Sequence, residues 1–187
     1  IAGCGIHNCG DQDSAHDGVH RFFIGKNCRL KYVEKHYGAG EGAGKRIMNP
    51  RTEVTIGEGS SVEMEMVQIK GVDDTKRSTV ARLEKGARLV VHERLLTHGE
   101  QRAESDYTVE LNGEDSSADV VSRSVAKEKS YQIYRSRIVG NALSSGHTEC
   151  DAIIMDDAKV LAIPELEANC IDSALVHEAA IGKIAGD

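Results

Sequence analysis

The chain has no tryptophan, two prolines, and only two phenylalanines and five tyrosines among 187 residues. So little aromatic surface argues against a large aromatic core, whereas nineteen glycines suit many short strands joined by tight turns. An all-β fold is expected. Basic side chains are in the minority: 23 Lys and Arg against 30 Asp and Glu give a net charge of -7. Dispersed as they are, they form no positive footprint for phosphates, so nucleic acid is not an expected partner. No run approaches the ~18 apolar residues of a membrane-spanning helix. The start, Ile1-Ala2-Gly3-Cys4, has neither the basic region nor the apolar segment of a signal peptide. No membrane partner is expected.

The sequence also lacks an Asn-x-Ser/Thr acceptor, and its five cysteines are an odd number in a chain long enough to need no staples. Reduced thiols and a cytoplasmic location are the expectation. The length fits a single domain over 1–187. The chain begins at Ile1 and stops at Gly186-Asp187 just beyond an apparent motif, which reads as a piece of something longer.

What is present is periodic. Gly59, Gly86, Gly113 and Gly140 follow one another at a constant spacing of 27, with Ile56, Leu83, Leu111 and Ile138 at nearly the same offset before them. Strand-like runs follow the turns: Val62, Met64 and Met66 alternate with Glu63 and Glu65, and Tyr107, Val109 and Leu111 with Thr108 and Glu110. A repeat of this length is too long for one strand and matches one coil of a β-helix, each strand pairing with the next coil. The expected organisation is an entry segment over 1–23, a Gly-rich loop over 38–45 with nothing to bury, and repeat coils over 46–187. The stretch from Ile171 to Ile184 is read either as a short helical cap or as a last strand.

Two motifs fail on their chemistry. The loop ending in Gly44-Lys45-Arg46 has Ala39 where a phosphate-binding Walker A loop needs glycine and Arg46 where it needs Ser or Thr. His177-Glu178 opens like a zinc-protease helix, but Ile181 stands where the second histidine belongs. Near the start, Cys4, His7, Cys9, His16 and His20 gather five potential ligands without a strong zinc spacing, amid Asp11, Asp13 and Asp17 that suit a solvated loop. Cys28, Cys170, Met64 and Met66 are expected in the core.

Cys150 is different. Glu149 and Asp151 flank it in an alternating run leading into Ala152-Ile153-Ile154-Met155, which puts the thiol on the inner face of a strand whose outer face is acidic. Iron favours thiolate, and imidazole or carboxylate can complete a labile shell. Cys150 and His177 are one repeat apart, so stacked coils would set them roughly 4.8 Å from each other, with either His177 or Glu178 facing the thiol.

The ordered set Cys150-Asp151, Pro164-Glu165 and His177-Glu178-Ala179, with Gly18-Val19-His20 earlier and Ser122-Arg123-Ser124 as a weaker echo, resembles the core domain of the SufB/SufD family. The resemblance runs from about Gly25 to Lys183 and favours the cysteine-bearing SufB branch. It implies a right-handed parallel β-helix that acts as an iron-sulfur assembly scaffold rather than as an enzyme. By the same resemblance, Cys150, His177 and Glu178 hold a nascent cluster of unspecified type. The implied partners are a SufC-like ATPase, a second SufB/SufD-like subunit forming a homodimer or heterodimer, a sulfur donor and apo-protein acceptors. A SufD-like partner that dimerises without a cluster is the alternative function. A β-helical carbohydrate enzyme is disfavoured because aromatic platforms for sugars are missing.

Overall fold

A computed structural model describes residues 2–184. In chain order the strands are β1 (Ala2–His7), β2 (Ser14–His16), β3 (Val19–Ile24), β4 (Arg29–Ala39), β5 (Arg46–Met48), β6 (Arg51–Ile56), β7 (Ser61–Lys70) and β8 (Asp74–Leu83). They continue as β9 (Arg88–Thr97), β10 (Arg102–Leu111), β11 (Ser116–Ala126), β12 (Tyr131–Gly140), β13 (Ser144–Met155), β14 (Lys159–Ala168) and β15 (Ser173–Ile184). Every pairing is parallel, and no helix occurs among the described residues. Hence no helix there is long and apolar enough to cross a membrane.

The chain winds as a β-solenoid of about six turns. One wall is the seven-stranded sheet β1-β4-β7-β9-β11-β13-β15; the other is an eight-stranded sheet running from β14 through β12, β10 and β8 to the short strands β5, β6, β3 and β2. The expected alternation is visible throughout. Val62, Met64 and Met66 are buried while Glu63 and Glu65 are not, and β10 alternates in the same way. Inward residues stack coil on coil: Ile56, Leu83 and Leu111 form one such column, and Val62, Leu89, Ala118, Gly146 and Leu175 another. This repeated burial supplies the stabilisation that no single coil could provide alone.

The coils are turned at two corners, most of these turns using one residue in the left-handed region. At one corner that residue is Asn27, Gly59, Gly86 and then Asp115; at the other it is Gly40, Gly71, Gly99, Glu128 and Asp156. Thus glycine marks only some of the corners. Gly59 and Gly86 are equivalent, but the next equivalent is Asp115, whereas Gly140 ends β12 opposite Leu111. The constant spacing of 27 therefore does not persist, and by β13 and β15 the register offset has grown, with Cys150 opposite Ala179.

Three other expectations are corrected. The described part of 1–23 is not an entry segment: β1, β2 and β3 pair with β4, β5 and β6 as a first coil. The Gly-rich stretch is a close-packed corner in which Gly42 N–H donates to Asn8 O at 3.2 Å and Gly44 N–H to Gly10 O at 3.0 Å. A Cβ on Gly44 would lie 2.0 Å from Gln12 O, so glycine is required there because backbone packs on backbone. Finally, the helical alternative for the C-terminal stretch is replaced by β15, which pairs with β13 along its whole length.

Gly146 offers a test of this packing. It lies in the inner column of β13, where a Cβ would sit 2.7 Å from Ile138 Cγ2 and 3.0 Å from Leu175 Cδ2. Gly146→Val is expected to destabilise the fold by about 1–3 kcal/mol through overpacking, read as a lower urea midpoint with an unchanged slope.

Candidate functional site

Part of the interior carries buried ionisable side chains. One column of the seven-stranded sheet reads Glu34, Met66, Glu93, Ser122, Cys150 and Ala179; the next reads Cys4, His36, Gln68, Leu95, Ser124, Ala152 and Ile181. From the opposite wall, Arg77 on β8 reaches between them. Its Nη1 donates to Glu93 Oε1 at 2.9 Å and its Nη2 to His36 Nδ1 at 2.9 Å. Because Nδ1 accepts, His36 carries its proton on Nε2, which faces Glu34.

Arg77, Glu93, Glu34 and His36 are all almost completely buried, so the network is stable only because nearly every charge is met. Glu93 takes hydrogen bonds from Tyr107 at 3.1 Å, Ser122 at 2.6 Å and also Ser105. Burial opposes ionisation of Glu34, but His36, the Arg77 guanidinium and the Tyr32 hydroxyl outweigh it and hold the carboxyl down at about 2. Burial, aided by Arg77, lowers the His36 pKa, which keeps that imidazole neutral.

Cys150 belongs to this interior. It is 3% exposed and part of the main core cluster, directly opposite Ser122 and thus two positions along the column from Glu93. It is more enclosed than a freely solvent-reachable thiol. Burial first, then the charges of Glu93 and Asp151, push the thiol up to about 12. A thiol so raised is a poor nucleophile until a cation displaces its proton. With iodoacetamide at about pH 8, near the free-thiol pKa, the exposed Cys9 and Cys28 are expected to be alkylated and Cys150 to remain unmodified until the chain is denatured. Peptide mass spectrometry reads this directly, and rapid native labelling of Cys150 would contradict its burial.

His177 lies opposite Thr148, so parallel pairing puts it on the same inner face as Cys150, two residues short of the position facing the thiol. It does not lie directly beneath Cys150, because the coil is two residues longer here than the glycine spacing implied. Glu178 lies opposite Glu149 on the outer face. There one ligand atom each of His147, Glu149 and Glu178 come within 4.8 Å of one another. The Glu149 pKa is raised, mainly by its hydrogen bond with Asp151. Thus the structure brings Cys150 and His177 to one face and turns Glu178 to the other. Pro164 sits in β14, an edge of the eight-stranded sheet among the described residues, where a missing backbone donor is tolerated.

The remaining candidates separate. Cys9 Sγ and His7 Nε2 are 3.0 Å apart at the surface, Cys4 faces inward opposite His36, and His20 Nδ1 meets the Tyr32 hydroxyl at 3.0 Å. These groups therefore do not converge on one ion. Cys28 is exposed at a corner and Cys170 half-buried, so neither is the core residue expected. Arg46 is consumed by Asp73, at 2.8 Å from Nε. Sequence patterning missed Arg77, Glu93 and Ser105 and read Tyr107 only as a strand residue; the one signal available was the Ser122-Arg123-Ser124 echo, whose Ser122 is the link between Glu93 and Cys150.

Fold and interior together define a parallel β-solenoid with an ionised core and a buried thiol near one end. Residues 3–187 match the family described as SUF system FeS cluster assembly, SufBD core domain, and the chain belongs to it. It is 30% identical over 187 residues to an iron-sulfur cluster assembly SufBD family protein of Archaeoglobus fulgidus, covering 99% of this chain and 49% of that protein. It is also 30% identical over 189 residues to the Methanothermobacter thermautotrophicus protein of the same description, covering 99% of this chain and 45% of the relative. Over a shorter stretch of 76 residues it is 40% identical to a Pyrococcus horikoshii SufBD family protein, covering 40% of this chain and 17% of that one. The chain thus spans about half the length of the first two relatives. A general role in iron-sulfur cluster assembly goes with the family.

Proposed function

We propose that the chain is the scaffold core of an iron-sulfur assembly protein: it accepts iron and sulfide, holds a nascent cluster transiently, and passes it to apo-proteins. The observation that carries this reading is the buried Cys150 on the inner face it shares with His177 in the last two coils. The cluster is cargo, and a shell of few thiolates suits cargo that must leave. In this reading Cys150 and His177 contact the cluster from the inner face, while Glu178, on the outer face of β15, lies outside the shell they form.

The chain does no turnover chemistry in this reading. It works in the cytoplasm with a SufC-like ATPase, a sulfur donor, and a second SufB/SufD-like subunit. The apolar strip of Leu96, Val125 and Ile153 at the ends of β9, β11 and β13 supports the paired assembly, since Ile153 is 43% exposed and an apolar strip of this kind favours association. The cysteine is what favours this function over a SufD-like partner that dimerises without cargo. Mixing the anaerobically reconstituted chain with an apo-ferredoxin tests the reading: the acceptor is expected to gain cluster absorption as the chain loses it. No transfer, with a chain that takes up neither iron nor sulfide, would favour the inert partner.

A further inference from the structure

Glu149 and Glu178 stand directly opposite each other on paired strands, an arrangement of like charges that destabilises a sheet unless something positive lies between them. Arg123 approaches Glu149 only at 3.8 Å, and no cationic side chain pairs with Glu178 among the described residues. His147 adds an imidazole to the same spot. Its Nδ1 is held by Asp119 Oδ1 at 2.8 Å from the preceding coil. A carboxylate on one ring nitrogen is the usual means of fixing a metal-binding histidine and leaving its other nitrogen free.

We propose that His147, Glu149 and Glu178 form a binding site for a divalent first-row transition ion, ferrous iron in the first place, on the outer face of β13 and β15. One imidazole nitrogen and two carboxylate oxygens suit such an ion and leave coordination positions for water. Asp119 is the positioning residue for His147. Strand alternation puts these ligands on the opposite side of β13 from Cys150, so the site binds iron without the thiol and without sulfide. Ferrous iron as occupant rests on the scaffold reading, under which the site is an iron-loading position beside the cluster. The donor set itself does not depend on that reading.

Anaerobic calorimetric titration of the intact protein with ferrous iron, in the absence of sulfide, tests it. One equivalent is expected to bind to the wild type and to Cys150→Ser alike. Affinity should fall more than about tenfold in His147→Ala and Glu149→Gln, and roughly tenfold in Asp119→Asn. Cobalt(II) should give visible bands that His147→Ala loses, and circular dichroism should show each variant folded. Wild-type affinity in His147→Ala and Glu149→Gln would overturn the site, as would loss of binding in Cys150→Ser, which would assign the iron to the thiol instead. Because sulfide is absent, a failure to build clusters leaves this result unchanged.

Discussion

Arg77→Leu is expected to lower the unfolding free energy by about 3–5 kcal/mol, the cost of leaving a buried charge without its partner. The guanidinium links Glu93 on the seven-stranded sheet to His36, and through His36 to Glu34, so its loss leaves carboxylates from two coils without a counter-ion in the interior. For a chain of this length, each kcal/mol shifts the melting temperature by roughly 2–4 °C. The double variant Arg77→Leu/Glu93→Leu should be less destabilised than the sum of the single variants, because neither charge is then left alone. Urea unfolding of all three proteins measures this, and a loss below about 1 kcal/mol in Arg77→Leu, the range of an exposed ion pair, would mean that the interior is wet.

The same network gives stability a sign with pH. Glu34, held at about 2, contributes stability that is present above the ordinary carboxylate range and lost as pH falls toward that value. Cys150, pushed to about 12, contributes stability that is present below the ordinary thiol value and lost as pH rises toward the raised one.

The second large effect concerns cargo. Cys150→Ser is expected to keep the fold, since serine is of similar size and Ser122 already places a hydroxyl directly opposite, yet to lose nearly all iron and sulfide on desalting after reconstitution. The hydroxyl cannot supply the thiolate that iron favours. Iron and acid-labile sulfide assays read the outcome; contents equal to the wild type would remove Cys150 from the site. His177→Ala should cause a partial loss, because other ligands complete the shell.

Much of this was legible in the residues. The period-two runs at Val62 to Met66 and Tyr107 to Leu111 located strands, their faces and their coil-to-coil pairing, because inward positions there are apolar. The register was less legible because a left-handed corner residue need not be a glycine, so that Asp115, Glu128 and Asp156 turn the chain without announcing it. Reading glycine spacing as coil length therefore brought Cys150 under His177, when Ala179 occupies that position. Arg77 and Glu93 were hidden for another reason. Binary patterning sends charge outward, and their partners come from strands far apart in sequence, so only the assembled interior shows that the charges meet. His147 and Glu149 were missed as partners of Glu178 for the same cause: they neighbour it only across the pairing of β13 with β15.

The central claim is that iron and sulfide assemble on this chain with the Cys150 thiolate as a ligand. Mössbauer spectroscopy of the wild type, reconstituted anaerobically with isotopically enriched iron and sulfide and then desalted, addresses it most directly. The account predicts a retained cluster spectrum in which thiolate-bound iron is accompanied by iron with nitrogen or oxygen ligands, and predicts that the thiolate component is absent from Cys150→Ser. A spectrum containing only adventitious iron, identical in both proteins, would contradict it.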